Sequence, residues 1–181
     1  SGVVRDTDCD RFKAGKAGQV RITVVCSMRN EGPFIVEWVS WYRMLGFTDV
    51  VVVSNDCTDH SVDLLDALER AGWVHHIRCD VPDGQPITPR KLKAAQGHAA
   101  VRAADWVMVC DVDEFLVIHK GTGRISEMIG AEGETPAFMG MAINWRVFGT
   151  SGEGLWTDGL THRQFLNCAK TGDFSSTWVK T

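Results

Sequence analysis

The chain has 181 residues, of which 44% are hydrophobic and 23% are charged, a composition typical of a globular protein with one sizeable core. Lys and Arg number 19 against 23 Asp and Glu, so the net charge is −4. This balance excludes a global positive field, and we expect no nucleic-acid partner. The sequence has no apolar run near the roughly 18 residues that a membrane-spanning helix needs, so we expect no transmembrane segment.

The six cysteines form neither a CxxC pair nor a zinc-binding spacing with histidine, and the chain begins without the basic and apolar plan of a signal peptide. Disulfides are rare in the reducing compartments of a cell. We therefore predict reduced cysteines and a cytoplasmic protein, with peripheral association at the inner membrane surface left open. The oligomeric state is left open too, because no pattern in the sequence decides it.

The first part of the chain predicts an irregular arm followed by a strand and a helix. Residues 1–18 are polar and lack hydrophobic periodicity, so we expect an N-terminal arm before a single domain that spans residues 19–181. The β-branched run at residues 20–26 predicts a strand. Across residues 34–45 apolar side chains recur at helical spacing, with a proline before this run and a glycine after it, as expected for a helix.

The same unit then repeats. Residues 50–53 predict a strand and residues 61–71 a helix, residues 73–77 a strand and residues 89–104 a helix, and residues 106–110 a fourth strand. Strands that are apolar throughout and alternate with helices predict an α/β fold with a mostly parallel, Rossmann-like sheet and helices on both faces. In such sheets, ligands bind beyond the carboxyl ends of the strands.

After residue 116 the alternation stops. We predict a short helix at residues 125–129, a strand at residues 137–143, a mobile glycine-rich loop at residues 149–159 and the start of another strand at residues 178–181. The sequence shows no internal repeat and no low-complexity segment. Nothing in it therefore indicates a second independent domain.

The most informative motif is the acidic run Asp111-Val112-Asp113-Glu114, directly after the fourth predicted strand. Carboxylates this close repel one another in a partly desolvated cleft, and a divalent cation removes that conflict. Alternate residues of a strand share a face, so we expect Asp111 and Asp113 to point the same way while Val112 faces the core. Oxygen ligands of this kind suit Mg²⁺ and Mn²⁺. The alternative is an acidic turn that caps the next segment.

A second polar motif, residues 54–59, follows the second predicted strand. Asn55 and Asp56 are candidates to accept hydrogen bonds from a nucleobase or ribose, the role of an acidic residue after a strand in other nucleotide-binding sheets. The alternative for this motif is an Asx turn with helix capping, and we favour capping for Asp59 and Ser61.

A third polar loop, residues 28–31, lies ahead of the first predicted helix on the ligand side of the sheet. Glu31 there is also well placed to interact favourably with the helix dipole. The sequence contains neither GxGxxG nor GxxxxGK[ST]. This argues against an ordinary Rossmann dehydrogenase and against a P-loop NTPase.

Two further features have competing interpretations. Arg90, Lys91 and Lys93 cluster at the start of the third predicted helix and could reach a diphosphate, but a solvated helix face is the commoner arrangement and is favoured here. His162 is the one histidine of the late loop region. It could approach the cleft, although the histidines show no metal-ligand spacing.

Together these motifs resemble the family-2-like glycosyltransferases with a GT-A fold. The resemblance covers roughly residues 20–150. It rests on an ordered set of sequences: MRNEGP at 28–33, SNDCTD at 54–59, DVDEFL at 111–116 and NWRVFG at 144–149. The ordered set is far more specific than any one of its members.

The resemblance implies a nucleotide-sugar donor, usually a UDP-sugar, and a saccharide or other hydroxyl acceptor. It implies Mn²⁺ or Mg²⁺ bound by Asp111 and Asp113, with Asp111 also at the donor. It places four residues near the nucleoside: Asn30, Glu31, Asn55 and Asp56. Lys91 is the basic residue expected at the diphosphate if the helix face is not merely solvated.

An inverting enzyme also needs a carboxylate base that takes the acceptor proton. Glu153 and Asp158, in the glycine-rich loop, are the candidates. The family pattern continues beyond the last residue, so we expect part of the acceptor half to lie outside this chain. Two rival hypotheses remain, a metal-dependent phosphohydrolase with paired aspartates and a non-catalytic nucleotide-sugar-binding module.

Overall fold

The computed structural model describes residues 20–82, 84, 86–130, 138–150, 152, 154, 157–170 and 179–180. The predicted N-terminal arm lies outside these residues, as does the candidate base Glu153.

The elements follow the predicted alternation of strands and helices. In chain order they are β1 Ile22–Met28, α1 Gly32–Leu45, β2 Asp49–Ser54, α2 Ser61–Arg70, β3 His75–Arg78, α3 Ile87–Gly97, α4 Ala99–Arg102, β4 Trp106–Val109, α5 Ile125–Ile129, β5 Ile143–Asn144, β6 Phe148–Gly149, α6 Thr161–Gln164, β7 Asn167–Cys168 and β8 Val179–Lys180. None of these helices is long and apolar enough to cross a bilayer.

The centre of the fold is a parallel sheet of four strands in the order β3-β2-β1-β4. Side chains of β1 and β2 alternate between two apolar clusters. Val24 and Val52 join α1 and α2 on one face, whereas Val25 and Val51 join α3 and α4 on the other. The predicted α/β class, with a parallel sheet and helices on both faces, is confirmed. It explains why the centres of both strands are mainly apolar: they are covered on both faces.

Helix α1 supplies five of the buried residues of the larger cluster. Pro33 lies in its first turn, and its buried residues include Ile35, Trp38 and Tyr42. Burial of each large apolar side chain contributes about 1.5–3 kcal/mol. The helix ends at Gly46, whose φ of 97° lies in the left-handed region that a glycine adopts without strain.

The structure shifts several predicted boundaries, including that of the third strand, which begins at His75 and not at residue 73. The predicted third helix is broken at His98, whose extended backbone separates α3 from α4 and whose Nδ1 accepts a hydrogen bond from the N–H of Ala100. Of the predicted strand at residues 137–143, the described part is extended only at Ile143, because β5 has a partner for just two residues. Strand β1 ends at Met28, two residues later than predicted.

Candidate active site

Three polar loops meet at the carboxyl edge of the sheet. Residues 29–31 follow β1, residues 55–59 follow β2 and residues 110–114 follow β4. Strand β1 pairs with both of its neighbours, and its last residue, Met28, lies beside Ser54 at the end of β2. The parallel register therefore brings together the three motifs that the sequence singled out.

The acidic motif forms a tight turn and not a strand, because β4 ends at Val109. The N–H of Glu114 donates to the carbonyl of Asp111 at 3.1 Å, and the N–H of Asp111 donates to Oε2 of Glu114 at 2.8 Å. Val112 is buried and packs in the core, whereas Asp111 and Asp113 are exposed. Val112 therefore faces inward and the two aspartates face outward, as expected, but the backbone that separates them is a turn and not a strand.

Helix α1 holds this turn by hydrogen bonds from indole groups. Trp38 Nε1 donates to the carbonyl of Asp111 at 2.9 Å, and Trp41 Nε1 donates to the carbonyl of Leu116 at 2.9 Å. Sequence reasoning missed this role. The available signal was the spacing of Trp38 and Trp41, three residues apart on one helix, each with a donor that needs a partner when buried.

Tyr42 completes the support from α1. Its hydroxyl donates to the carbonyl of Glu114 at 3.1 Å and lies 2.8 Å from Sγ of Cys110. Burial, reinforced by the neighbouring Cys110 thiol, raises the pKa of Tyr42 well above its ordinary value. Tyr42 therefore stays neutral and remains a donor at physiological pH.

The loop edge concentrates negative charge. Burial, followed by the nearby carboxylates of Asp113 and Asp59, raises the pKa of Glu31. This places Glu31 within electrostatic range of the acidic turn. Like charges gathered in this way are relieved by a cation.

The acidic edge fits a divalent cation that shares its coordination with a substrate. Within the described ranges, no group of three or more His, Cys, Asp or Glu side chains is arranged to hold a metal ion by itself. Magnesium does not require such a group, since it commonly binds one or two carboxylates together with substrate phosphates. Asp111 and Asp113 provide two outward carboxylates on one turn, which matches that donor set.

The loops after β1 and β2 are joined by Asn30. Its Nδ2 donates to Oγ1 of Thr58 at 3.1 Å, and its Oδ1 accepts from the N–H of Thr58 at 2.7 Å. Asn30 adopts a left-handed φ of 56°, a conformation that asparagine tolerates better than most residues. Arg29 adds a bond from Nε to the carbonyl of Asp56 at 3.3 Å. The structure therefore gives Asn30 a loop-joining role, and its contact with a nucleoside stays a prediction.

Asp59 connects the amino ends of two helices. Its carboxylate accepts from the N–H and hydroxyl of Ser61, at the start of α2, and from the N–H of Gly32, at the start of α1. Slight burial opposes ionisation, but the bonds from Ser61 and Gly32 outweigh it and hold the pKa of Asp59 below its ordinary value. A Cβ on Gly32 would lie 3.1 Å from Asp59 Oδ2, so glycine permits this close approach. Asp59 thus binds the first N–H groups of both helices, but the N-cap of α2 is His60 and Ser61 is its first helical residue, so neither Asp59 nor Ser61 is the N-cap favoured from the sequence.

Asn55 carries an unsatisfied acceptor at the edge of the sheet. The residue is 4% exposed, and its Nδ2 donates to Oδ2 of Asp56 at 2.7 Å. A carboxylate only accepts, so the amide nitrogen must face Asp56, which assigns Oδ1 to the other side. Among the described residues, Asn55 Oδ1 is the one buried side-chain oxygen or nitrogen without a partner. An unmade bond of this kind costs about 1–3 kcal/mol, and a ligand donor would recover it.

Lys91 overturns the expectation of a solvated helix face. It is 5% exposed, whereas Arg90 and Lys93 on the same helix are exposed. Its Nζ donates to the carbonyl of Met28 at 3.5 Å, and burial lowers the pKa of Lys91. Packing of α3 against the sheet directs this one cation to the end of β1. Helical periodicity places Lys91 four residues before Ala95, the other buried position of α3.

Of the two candidate bases, the structure describes only Asp158. Glu153 lies outside the described residues. Asp158 is exposed and precedes helix α6, which is attached to α1 through Glu37. Sequence reasoning missed Glu37, because nothing in the pattern of α1 indicates a partner more than a hundred residues away.

An apolar groove of about 280 Å³ lies at the other end of the sheet. Its lining includes Ile22 and Trp106, the first residues of β1 and β4, together with Met128 and Ile143. The one charged residue of its lining is Asp105. This groove offers little for a phosphorylated ligand, so the carboxyl edge remains the candidate active site.

The fold and this edge define a Rossmann-like α/β protein with acidic loops at the carboxyl edge of its sheet. A comparison with protein families identifies the particular family. The sequence model of glycosyltransferase family 92 matches residues 22–153, and the chain belongs to that family. The glycosyltransferase character indicated by the motifs is thereby confirmed. The family itself differs from the sequence-based interpretation: the chain belongs to glycosyltransferase family 92, whereas its motifs were interpreted as those of a family-2-like glycosyltransferase.

Solved structures resemble parts of the chain. Staphylococcus aureus TarS is 19% identical over 53% of this chain and 17% of TarS, with a TM-score of 0.41, and a structure of TarS 1–349 has 16% identity, coverage of 53% and 28%, and a TM-score of 0.35. Glucosyl-3-phosphoglycerate synthase from Mycobacterium tuberculosis, in complex with Mn²⁺, UDP and glucosyl-3-phosphoglycerate, is 19% identical over 66% of this chain and 42% of the synthase, with a TM-score of 0.39. The chain spans less than half of each of these proteins. No curated protein matches it.

Proposed function

We propose that this chain carries the donor site of a metal-assisted glycosyltransferase that moves a sugar from a nucleotide-diphospho-sugar, with UDP-sugar as the expected donor, to an acceptor hydroxyl. Membership of glycosyltransferase family 92 supports the reaction class. The observation that carries the proposal is the acidic turn, which presents Asp111 and Asp113 at the carboxyl edge of the sheet with Glu31 in electrostatic range.

Asp111 and Asp113 would hold Mn²⁺ or Mg²⁺ together with the donor diphosphate. When bound, the cation supplies Lewis-acid stabilisation of the charge that grows on the leaving diphosphate. The bonds from Trp38 to Asp111 and from Tyr42 to Glu114 fix the turn in advance. Little reorganisation is then needed when the donor arrives, which favours catalysis.

The loops after β1 and β2 would receive the nucleoside. Asn55 Oδ1 can accept a hydrogen bond from a nucleobase N–H or a ribose hydroxyl, and Asp56 beside it offers a carboxylate. We propose that Lys91 acts through its positive potential, because its Nζ is already directed at the carbonyl of Met28. A buried cation near the loops favours an anionic ligand such as a diphosphate.

The acceptor hydroxyl must lose a proton as it attacks the sugar. We propose Asp158, which is exposed in the segment before α6, or Glu153 as the base that removes it. Asp158 is the candidate that can be tested from the described geometry.

The site is tested by calorimetry of UDP binding with and without Mn²⁺, in the wild type and in Asp113→Ala. Removing one of two proposed ligands should weaken Mn²⁺-dependent UDP binding by about tenfold or more. Asp63→Ala is a matched control, because Asp63 is an exposed aspartate on α2. Unchanged binding in Asp113→Ala would refute the site.

Turnover separates the three candidate functions. Release of UDP and free sugar from a UDP-sugar, in the absence of an acceptor, supports the transferase. Release of phosphate from a monoester would instead favour the phosphohydrolase. Donor binding without any turnover would favour the binding module.

A further inference from the structure

The carboxylate of Glu37 on α1 binds the start of helix α6. Glu37 accepts from the N–H of Thr161 at 2.8 Å, from the N–H of His162 at 3.1 Å and from Nδ1 of His162 at 2.6 Å. Both oxygens of Glu37 take part, and its side chain is only 6% exposed. Burial alone would oppose ionisation, but the bonds from His162 and Thr161 outweigh it and lower the pKa of Glu37. The attachment is therefore a charge-assisted one.

Trp41 extends this attachment to the acidic turn. It lies one helical turn after Glu37, and its ring contacts the ring of His162 with centroids 5.4 Å apart. The same ring meets Phe115 edge-on at 5.5 Å, and its Nε1 donates to the carbonyl of Leu116. The chain just beyond the acidic turn and helix α6 thus pack against one indole.

Two hydrogen bonds between Thr157 and Gln164 join the segment before α6 to the helix itself. Gln164 Nε2 donates to the carbonyl of Thr157 at 3.1 Å, and Thr157 Oγ1 donates to Gln164 Oε1 at 3.2 Å. Asp158 lies inside this segment. Fixing α6 on α1 therefore also restricts where Asp158 can be.

We propose that Glu37 is a positioning residue, which holds residues 157–164 against α1 and so places the acceptor side of the site, with Asp158, beside the acidic turn. The proposal rests on the glycosyltransferase function proposed above. Glu37 does not act on the substrate itself, since both of its oxygens are engaged by α6. Its effect should therefore fall on turnover and spare the donor site on the other loops.

The test compares Glu37→Gln with Glu127→Gln. Glu127 is a matched control, because its carboxylate also accepts two backbone hydrogen bonds, from Thr122 at 2.8 Å and Arg124 at 3.1 Å, but in another part of the fold. Three measurements are made on the whole chain: hydrogen exchange of residues 157–168, the Kd of UDP with Mn²⁺, and the rate of UDP release from a UDP-sugar.

In Glu37→Gln we expect amide exchange in residues 157–168 to rise about tenfold and UDP release to fall about tenfold or more, because misplacement of a catalytic group by about 1 Å is costly. The Kd of UDP with Mn²⁺ should stay within about twofold, and Glu127→Gln should change none of the three. Rescue adds a further readout. His162→Gln retains a donor towards Glu37 and should recover at least half of the turnover that His162→Ala loses.

Two results would overturn the proposal: unchanged exchange in Glu37→Gln, or a loss of UDP affinity in step with the loss of turnover. A failure of the proposed function looks different. In that case the wild type neither binds UDP with Mn²⁺ nor releases UDP from a UDP-sugar, and the proposed role of Glu37 on the acceptor side is then refuted as well.

Discussion

Removing the Tyr42 hydroxyl tests directly how α1 supports the acidic turn. Tyr42→Phe removes one oxygen atom and leaves the aromatic ring, which packs against Trp38 and Phe47 with centroids 4.6 Å and 5.2 Å away. The substitution deletes the bond to the carbonyl of Glu114 and the contact with Cys110 Sγ. No other packing change is required by the shape of the side chain.

The expected cost follows from these two contacts. A net hydrogen bond contributes about 0.5–1.5 kcal/mol, and leaving a buried partner unsatisfied costs about 1–3 kcal/mol. We therefore expect Tyr42→Phe to lower the free energy of unfolding by about 2 kcal/mol. For a chain of this size, that corresponds to a fall in Tm of about 4–8 °C.

Urea unfolding followed by tryptophan fluorescence measures this change, with an unchanged m-value as the sign that the variant keeps its fold. Binding of UDP with Mn²⁺ should weaken as well, because the Glu114 end of the acidic turn loses its support. Phe47→Leu, a neighbouring core substitution that keeps the Tyr42 hydroxyl in place, controls for loss of stability alone. A destabilisation of Tyr42→Phe below about 0.5 kcal/mol would show that the reasoning about this hydroxyl is wrong.

Two further predictions concern titratable groups, the buried Lys91 and the half-buried His98. Lys91→Met removes a charge whose burial is costly, so the free energy of unfolding should stay level or rise, by up to about 1 kcal/mol, while calorimetry should show weaker UDP binding. Unchanged UDP binding would contradict the proposed role of Lys91, and a large loss of stability would contradict the argument from burial. His98 is the second group, since burial and then the neighbouring His75 lower its pKa from the ordinary value of 6.5, and its unprotonated Nδ1 caps α4. A lowered pKa means that stability is fully present above about pH 6.5 and is lost as pH falls through the folded-state pKa. Urea unfolding at a series of pH values should therefore show a decline on acidification that is smaller in His98→Asn, and equal slopes in the two proteins would count against the cap.

The sheet and its two layers of helices were predictable from the sequence because their signals are local. A valine run is apolar on both faces, a helix repeats its apolar residues every three or four positions, and Gly46 ends α1 by a conformation that needs no tertiary partner. The elements that were mispredicted have weak local signals. The break at His98 depends on a side chain that caps the next turn, and β5 is as short as the partner strand that it meets.

The sequence by itself determined which residue types stand at the carboxyl edge, since Asp111, Asp113 and Asn55 each follow an apolar strand and the ends of parallel strands meet. Only the tertiary structure decided how they are held and left the buried Oδ1 of Asn55 without a partner. The burial of Lys91 and the attachment of α6 to Glu37 belong to this second group. The physical reason is range: periodicity reports on neighbours within a few residues, whereas these contacts join side chains that only the packing of distant segments brings together.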